Sequence, residues 1–333
     1  DTERKILDLL KIQPCAPFAI AKRIGVSRQA LHRHLKVLLK NGQIEKQGIT
    51  PHVYYSLAAI NNTSRVQESI KIFTDHLLEK YLKQKEFKNV YELFCSQHIA
   101  LLAEEKPDFG FMLDTAAVYS SNIEGNSLNL NSFLNSRMQA KKLRPKEAQE
   151  IEDLVEAYEF SQNHILNEKN VLQAHALLGR QFINKGRQGI YRMEPVGVFS
   201  NRGMEYLALE PQSVHHEMHE LFKAVTSLLK NNLSPLETFF WASWFHLMMV
   251  LIHPFADGNG RIARLSEKWF LMQKLGSVVV FLPSEEHYFK ERPQYYATLR
   301  LGINYWEVDF LASMGFLNLL PHALSFNKNG AHH

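Results

Sequence analysis

One histidine, one aspartate, two glycines and two arginines fall within the twelve residues His253-Pro254-Phe255-Ala256-Asp257-Gly258-Asn259-Gly260-Arg261-Ile262-Ala263-Arg264. Gly258 and Gly260 permit backbone conformations that turn successive N–H groups into one concavity, which suits an anion. Arg261 and Arg264 are three apart, so on a helix they share a face from which guanidinium groups can grip phosphate oxygens. His253 stands at the edge of the stretch. An imidazole with an unperturbed pKa near 6.5 is mostly neutral at pH 7 and can accept a proton. Asp257 offers a hard oxygen to a divalent ion, and Mg²⁺ usually takes one or two protein carboxylates beside substrate phosphates. Phosphate handling with a nearby base is the chemistry these residue types suit.

Such a loop needs rigid elements on both sides. Upstream, Ser234-Pro235-Leu236-Glu237 combines a capping box with proline at the first helical position, so a helix begins there. The longest apolar stretch runs from Thr238 to Phe255, is interrupted by His246 and falls short of the roughly 20 residues of a membrane span. It reads as a buried central helix, and no membrane association is expected. Downstream, helical periodicity resumes through Leu265, Trp269, Phe270 and Leu275. The second helix therefore points its N-terminus, with its partial positive charge, into the loop.

On this helix–loop–helix, the twelve residues resemble the Fic-family pattern His-x-Phe-x-Asp/Glu-Gly-Asn-Gly-Arg-x-x-Arg at all eight fixed positions. The resemblance spans roughly residues 109–320 and implies a helical core with a β-hairpin flap. It implies transfer of AMP from ATP to a Ser, Thr or Tyr hydroxyl of a target protein, or of the chain itself. By that resemblance His253 deprotonates the hydroxyl and Asp257 holds Mg²⁺. Gly258, Asn259 and Gly260 cradle the α- and β-phosphates, while Arg261 and Arg264 clamp the β- and γ-phosphates. The glycine-rich stretch Gly186–Leu209 is similar to the flap, which holds the target segment as an added strand. Tyr295 and Tyr296 resemble a family helix near the adenosine, and serve equally well as core aromatics.

Upstream, Ser120-Ser121-Asn122-Ile123-Glu124-Gly125 matches the family's inhibitory pattern at the end of a helix over 109–124. Ser120 and Glu124, four apart, share a face. The resemblance implies that Glu124 pairs with Arg264 and keeps the γ-phosphate from docking. Family members with this glutamate sometimes also remove AMP, and the sequence leaves the direction open.

The N-terminus differs in charge and pattern. Residues 1–57 hold ten Lys or Arg against four Asp or Glu, whereas the whole chain of 333 residues carries +4, so the remainder sums to −2. Helices are expected over 3–12, 17–24 and 28–40, the last with Ser27 as N-cap and Asn41-Gly42 as stop signal. Short strands over 43–47 and 52–57 would flank a turn at Gly48–Pro51. This order resembles a winged helix-turn-helix over 1–57. Arg28, Gln29, His32, Arg33 and Lys36 would face outward, with Lys46, Gln47 and His52 on or near the wing. Leu31, Leu35, Val37 and Leu38 would face inward. Double-stranded DNA is the expected partner, with docking to protein as the alternative use of such a module.

The fold class expected is mainly α: a helical connecting segment over 58–108 and a Fic-type catalytic domain over 109–322, preceded by the small winged module. Helices are expected over 145–166 and 171–183 as well. With 45% hydrophobic and 22% charged residues the composition is that of a globular protein. Two cysteines 80 positions apart and a charged opening lead to the expectation of a reducing, cytoplasmic setting. His215, His216 and His219 lack an evident third ligand and read as solvated helix positions. A homodimer is compatible with all of this. The competing function is a DNA-binding regulator whose catalytic-type domain senses nucleotide or strips AMP from a target.

Overall fold

A computed structural model describes residues 2–10, 15–41, 43–47, 53–57, 64–84, 87, 89, 91–92, 96, 109–139, 144–200 and 203–326. The first unit comprises α1 (Thr2–Leu10), α2 (Pro17–Ile24), α3 (Arg28–Lys40), β1 (Ile44–Gln47) and β2 (Tyr54–Leu57). The two strands pair antiparallel, with Ile44 opposite Leu57 and Gln47 opposite Tyr54. Gly25 adopts φ 75°, a left-handed conformation that lets α2 stop and the chain turn into α3. Ser27 Oγ then accepts the Ala30 N–H at 3.2 Å and caps α3. Ile6, Leu10, Ile20, Leu31, Leu35, Leu38, Ile44 and Tyr55 form one small core. Val37 departs from expectation: it is 43% exposed. Leu31, Leu35 and Leu38 follow the three-four spacing of one face, and Val37 falls off that stripe. The wing turn, Gly42 and His52 lie outside the described residues.

The larger core begins earlier than residue 109. Helices α4 (Arg65–Ile72) and α5 (Leu78–Leu82) are joined by the π-helical residues Phe73–Leu77. Val66, Phe73, Leu77 and Tyr81 are buried in the same cluster as the helices that follow. Phe240 packs edge-on against Phe73 and Tyr81, and Trp244 Nε1 donates to Ser69 Oγ at 3.0 Å. Residues 64–82, expected to connect, are thus part of the core.

The elements that follow are α6 (Phe109–Ile123), α7 (Leu130–Arg137), α8 (Lys146–Asn163) and α9 (Glu168–Leu178), then β3 (Gly197–Ser200) and β4 (Gly203–Leu207). Next come α10 (Pro211–Lys230), α11 (Pro235–Ile252), α12 (Asn259–Leu275), α13 (Ser284–Lys290), α14 (Arg292–Thr298), α15 (Met314–Leu317) and α16 (Leu319–Phe326). Helix α9 starts at Glu168 because the Asn167 side chain caps it, and it stops at Gly179, short of the expected Ile183. The hairpin is shorter than the glycine-rich stretch: only β3 and β4 pair, with an irregularity between Val198 and Phe199.

Helix α11 is the centre of the fold. Ser234 Oγ accepts the Glu237 N–H while the Glu237 carboxylate accepts the Ser234 N–H at 2.7 Å. Every residue from Thr238 to Ile252 is buried except Val250. The helix has the length and hydropathy of a membrane span, yet protein surrounds it. Because Phe240 joins α11 to the 64–82 segment, Phe240→Ala is expected to cost about 3–5 kcal/mol in denaturant unfolding. A loss below about 1 kcal/mol would contradict a shared core.

Candidate active site

The loop between α11 and α12 has a geometry set by both helix ends. His253 follows α11 with φ 53° and ψ 60°, and no other non-glycine residue among those described has positive φ. That conformation costs a side-chain-bearing residue roughly 1–2 kcal/mol. It is retained where surrounding contacts enforce it, and such residues cluster at functional sites. His253 Nδ1 lies 3.3 Å from Val250 O, so the Nδ1–H tautomer satisfies that contact and leaves Nε2 as the proton acceptor. Burial pushes the His253 pKa down to about 4, and the positive charge of Arg192 adds to this. The imidazole is therefore neutral well below pH 7.

At the other end Gly258, with φ 77°, opens α12. A Cβ there would crowd Leu178 Cδ1 at 3.1 Å as well as straining the backbone. Asn259 closes the loop: its Oδ1 accepts the Phe255 N–H and its Nδ2 donates to Phe255 O, both at 2.9 Å. Its side chain is thus committed to loop shape, and what it offers an anion is a main-chain N–H of the first helical turn. Asp257 is exposed, with Oδ1 accepting the Gly258 N–H at 2.6 Å. Among the described residues no group of three or more His, Cys, Asp or Glu side chains is placed to hold a metal, and His215, expected to be solvated, instead packs edge-on against the Tyr191 ring.

The two arginines share a helix face but have different surroundings. Arg261 is buried, with its guanidinium 4.2 Å from the centre of the Phe182 ring and 3.7 Å from Glu150. Among the described residues its Nε and Nη1 have no hydrogen-bond partner. Buried donors of a cation left unmatched in this way suit an anionic ligand. Arg264 is deeper, and all three of its nitrogens are hydrogen-bonded. Its Nε donates to Ser120 Oγ at 2.9 Å, Nη2 to Ser120 O at 2.9 Å and to Glu124 Oε1 at 2.7 Å, and Nη1 to Tyr295 OH at 3.4 Å. Burial alone would raise the Glu124 pKa, but the Arg264 charge and hydrogen bond outweigh it and hold the carboxylate ionised. A Cβ on Gly260 would run into the Glu124 carboxylate, so the glycine makes room for this ion pair.

Tyr295 and Tyr296, neighbours in sequence, part company in space. Tyr295 is buried, and its hydroxyl bridges Arg264 and His246 Nε2, the latter at 3.0 Å. His246 Nδ1 in turn meets Glu267 Oε2 at 2.9 Å, and Tyr288 OH donates to the same carboxylate. Tyr296 is half-exposed, with its hydroxyl donating to Ile123 O at 3.2 Å. Both line a cavity with His253, Gly260, Arg264 and Glu124, closed by Val198 and Tyr206 of the hairpin and by Leu299. The rim carries a Glu205–Arg300 ion pair at 2.9 Å.

Two buried residues absent from the motif help build this loop. His175 Nε2 meets Asp257 O at 3.0 Å, its Nδ1 accepts the Gly189 N–H at 3.0 Å, and its ring stacks on Phe255. Arg192 Nε donates to His253 O at 2.6 Å. A histidine on an otherwise apolar helix face was the available signal for the first. Nothing in the spacing marked the second. In the N-terminal unit Arg28, Gln29, His32, Arg33 and Lys36 all lie exposed on α3, far along the chain from the cavity residues.

A helix–loop–helix with buried arginine donors, a glycine turn and a neutral histidine is an arrangement suited to an anion. A sequence model described as the Fic/DOC family matches residues 165–271, and one described as winged helix-turn-helix DNA-binding matches residues 1–45. The chain carries a Fic-family domain behind an N-terminal winged helix-turn-helix. It is similar to the protein adenylyltransferase Fic of Drosophila mojavensis, 31% identical over 193 residues, 55% of this chain and 35% of that protein. The protein adenylyltransferase fic-1 of Caenorhabditis briggsae is 27% identical over 188 residues, 54% of this chain and 34% of that one. The chain thus matches only about a third of the length of these relatives. The same fold occurs in a Fic family protein from Desulfovibrio desulfuricans, with TM-score 0.55 and 23% identity over 80% of this chain and 73% of that one. It occurs also in Fic-1 of C. elegans, with TM-score 0.53 and 22% identity over 75% of this chain and 72% of that one.

Asn259→Ala removes both bonds to the buried Phe255 backbone. The expected outcome is a loss of about 1–3 kcal/mol in stability together with weaker ATP binding in calorimetric titration. Undiminished ATP affinity in a destabilised variant would separate loop shape from phosphate binding.

Proposed function

We propose that this protein is a self-inhibited adenylyltransferase that moves AMP from ATP to a hydroxyl of a protein substrate. The observation that carries this reading is one cavity lined by the neutral, strained His253, by Gly260 of the glycine-opened helix and by the buried Arg264, with Arg261 three residues before Arg264 on the same helix. His253 Nε2 takes the proton of the attacking hydroxyl as its oxygen bonds to the α-phosphorus. The bond from that phosphorus to pyrophosphate breaks, and the leaving group takes the electron pair. Main-chain N–H groups at 259–260, the dipole of α12 and the unmatched donors of Arg261 stabilise the negative charge. Asp257 fits Mg²⁺ as a single hard ligand completed by phosphate oxygens. Bound there, the ion would neutralise charge on the departing pyrophosphate.

Glu124 acts as the brake. It holds Arg264 through a charge-assisted bond worth about 1.5–3 kcal/mol. With its side chain 32% exposed, solvent screening places the effect at the low end of that range. Roughly tenfold tighter productive ATP binding on its removal follows, before any gain from correct α-phosphate placement. With labelled ATP and Mg²⁺, Glu124→Gly is expected to label itself or a lysate protein at least about tenfold more than wild type. The Glu124→Gly, His253→Ala double variant is expected not to label. Strong labelling by the double variant would remove His253 from the chemistry, and no gain in the single variant would remove the brake.

The depressed His253 pKa has a kinetic signature. Activity of the Glu124→Gly variant is expected to hold from pH 8 down past 6 and to fall only as His253 protonates, at or below about pH 4 because the variant also loses the Glu124 charge that favours protonation. A descending acid limb centred near 6.5 would contradict the buried, Arg192-flanked environment. The exposed basic face of α3 supports a second activity, binding of duplex DNA. An Arg33→Ala, Lys36→Ala variant should lower the affinity and the salt slope of a duplex shift by about one to two phosphate contacts. A salt-independent or unchanged shift would favour docking to protein.

A further inference from the structure

Residues 190–196, between α9 and the hairpin, contain no helix or strand, yet Arg192 at their centre is only 3% exposed. Its guanidinium donates from Nε to His253 O at 2.6 Å, from Nη2 to Ile252 O at 3.3 Å and to Leu209 O, and from Nη1 to Glu194 O at 2.9 Å. Its main-chain N–H donates to Pro254 O at 2.9 Å. The acceptors are all main-chain carbonyls, and no carboxylate among the described residues pairs with it. A buried guanidinium without a counter-ion is costly, so its position needs a reason.

The position supplies one. Ile252 and His253 end α11, where carbonyls lack intrahelical partners and the helix dipole presents partial negative charge. Arg192 caps that end with a full positive charge. The Glu194 carbonyl precedes β3 and the Leu209 carbonyl follows β4. One side chain therefore joins both feet of the hairpin to the backbone of the histidine.

We infer that Arg192 is a positioning residue for His253, fixing its left-handed backbone and coupling the hairpin to the placement of the base. This rests on the reading of His253 as the proton acceptor. Engagement of a target along the hairpin and alignment of the imidazole then share a single clamp. The charge acts too. Arg192 opposes protonation of His253, against the Glu124 and Asp257 carboxylates, which favour it.

The test uses the full chain in the Glu124→Gly background with Arg192→Lys and Arg192→Gln. Lysine keeps the charge but cannot reach four carbonyls from one plane. Both variants are expected to bind ATP as the parent does. Their kcat for label transfer is expected to fall by about 10- to 100-fold through misplacement of the base, with the KM for ATP unchanged. Titration of the His253 ring by NMR, low in the parent, is expected to move up in Arg192→Gln and to stay low in Arg192→Lys. Unchanged kcat in folded variants, or a loss matched by the unfolded fraction with the ring titration unmoved, would reduce Arg192 to a structural residue. If Arg192→Gln fails to fold, the kcat of Arg192→Lys decides. If the parent with His253→Ala still transfers label, the base reading fails instead, and the ring titration alone then reports on the clamp.

Discussion

The structure around the site depends on a buried guanidinium that must be neutralised. Arg264 is 1% exposed, and leaving its donors unpaired there would cost several kcal/mol. Helix α6 meets this demand with Ser120 and Glu124, and α14 meets it with Tyr295. Tyr295 hands its hydroxyl proton to His246, which in turn donates to Glu267, a carboxylate also held by Tyr288. A chain of polar groups thus runs through an otherwise apolar core, each member satisfied by the next. It fixes α6, α11, α12, α13 and α14 relative to one another. Glu124, Arg264 and Tyr295 of this chain line the cavity, and Glu124 is the most exposed of the three.

The second constraint is the loop. Two helix ends face each other across six residues, one carrying unpaired carbonyls and the other unpaired N–H groups. Arg192 occupies the negative end, and the positive end is left to the anion. Asn259 and His175 hold the intervening backbone in shape through hydrogen bonds within the protein. The two arginines divide the work accordingly. Among the described residues Arg261 keeps unmatched donors, whereas Arg264 is already occupied by the Glu124 carboxylate.

Much of this was legible because it is local. The glycine turn, the capping box at Ser234 and the three-residue spacing of the arginines are properties of contiguous residues, and helix physics reads them directly. What escaped notice acts across distance in the chain. Arg192 reaches His253 over 61 positions and His175 reaches Asp257 over 82, and neither contact leaves a periodic trace. Tyr295 and Tyr296 look alike in sequence, and only packing sends one hydroxyl into the polar core and the other toward the cavity rim. Val37 shows the limit of counting apolar residues, since its place off the buried stripe outweighed its side-chain type. The connecting segment was misleading for a similar reason: its exposed Lys and Glu disguised an inner face that Phe73 and Tyr81 bury against α11.

The central claim is that Arg264 is held either by Glu124 or by the terminal phosphate of ATP, never by both. Calorimetric titration of ATP into wild type and Glu124→Gln tests it most directly, because glutamine keeps the shape and removes the charge. The account predicts roughly tenfold tighter ATP binding in the variant and a smaller gain for ADP, which lacks that phosphate. Equal ATP affinities for the two proteins would contradict it.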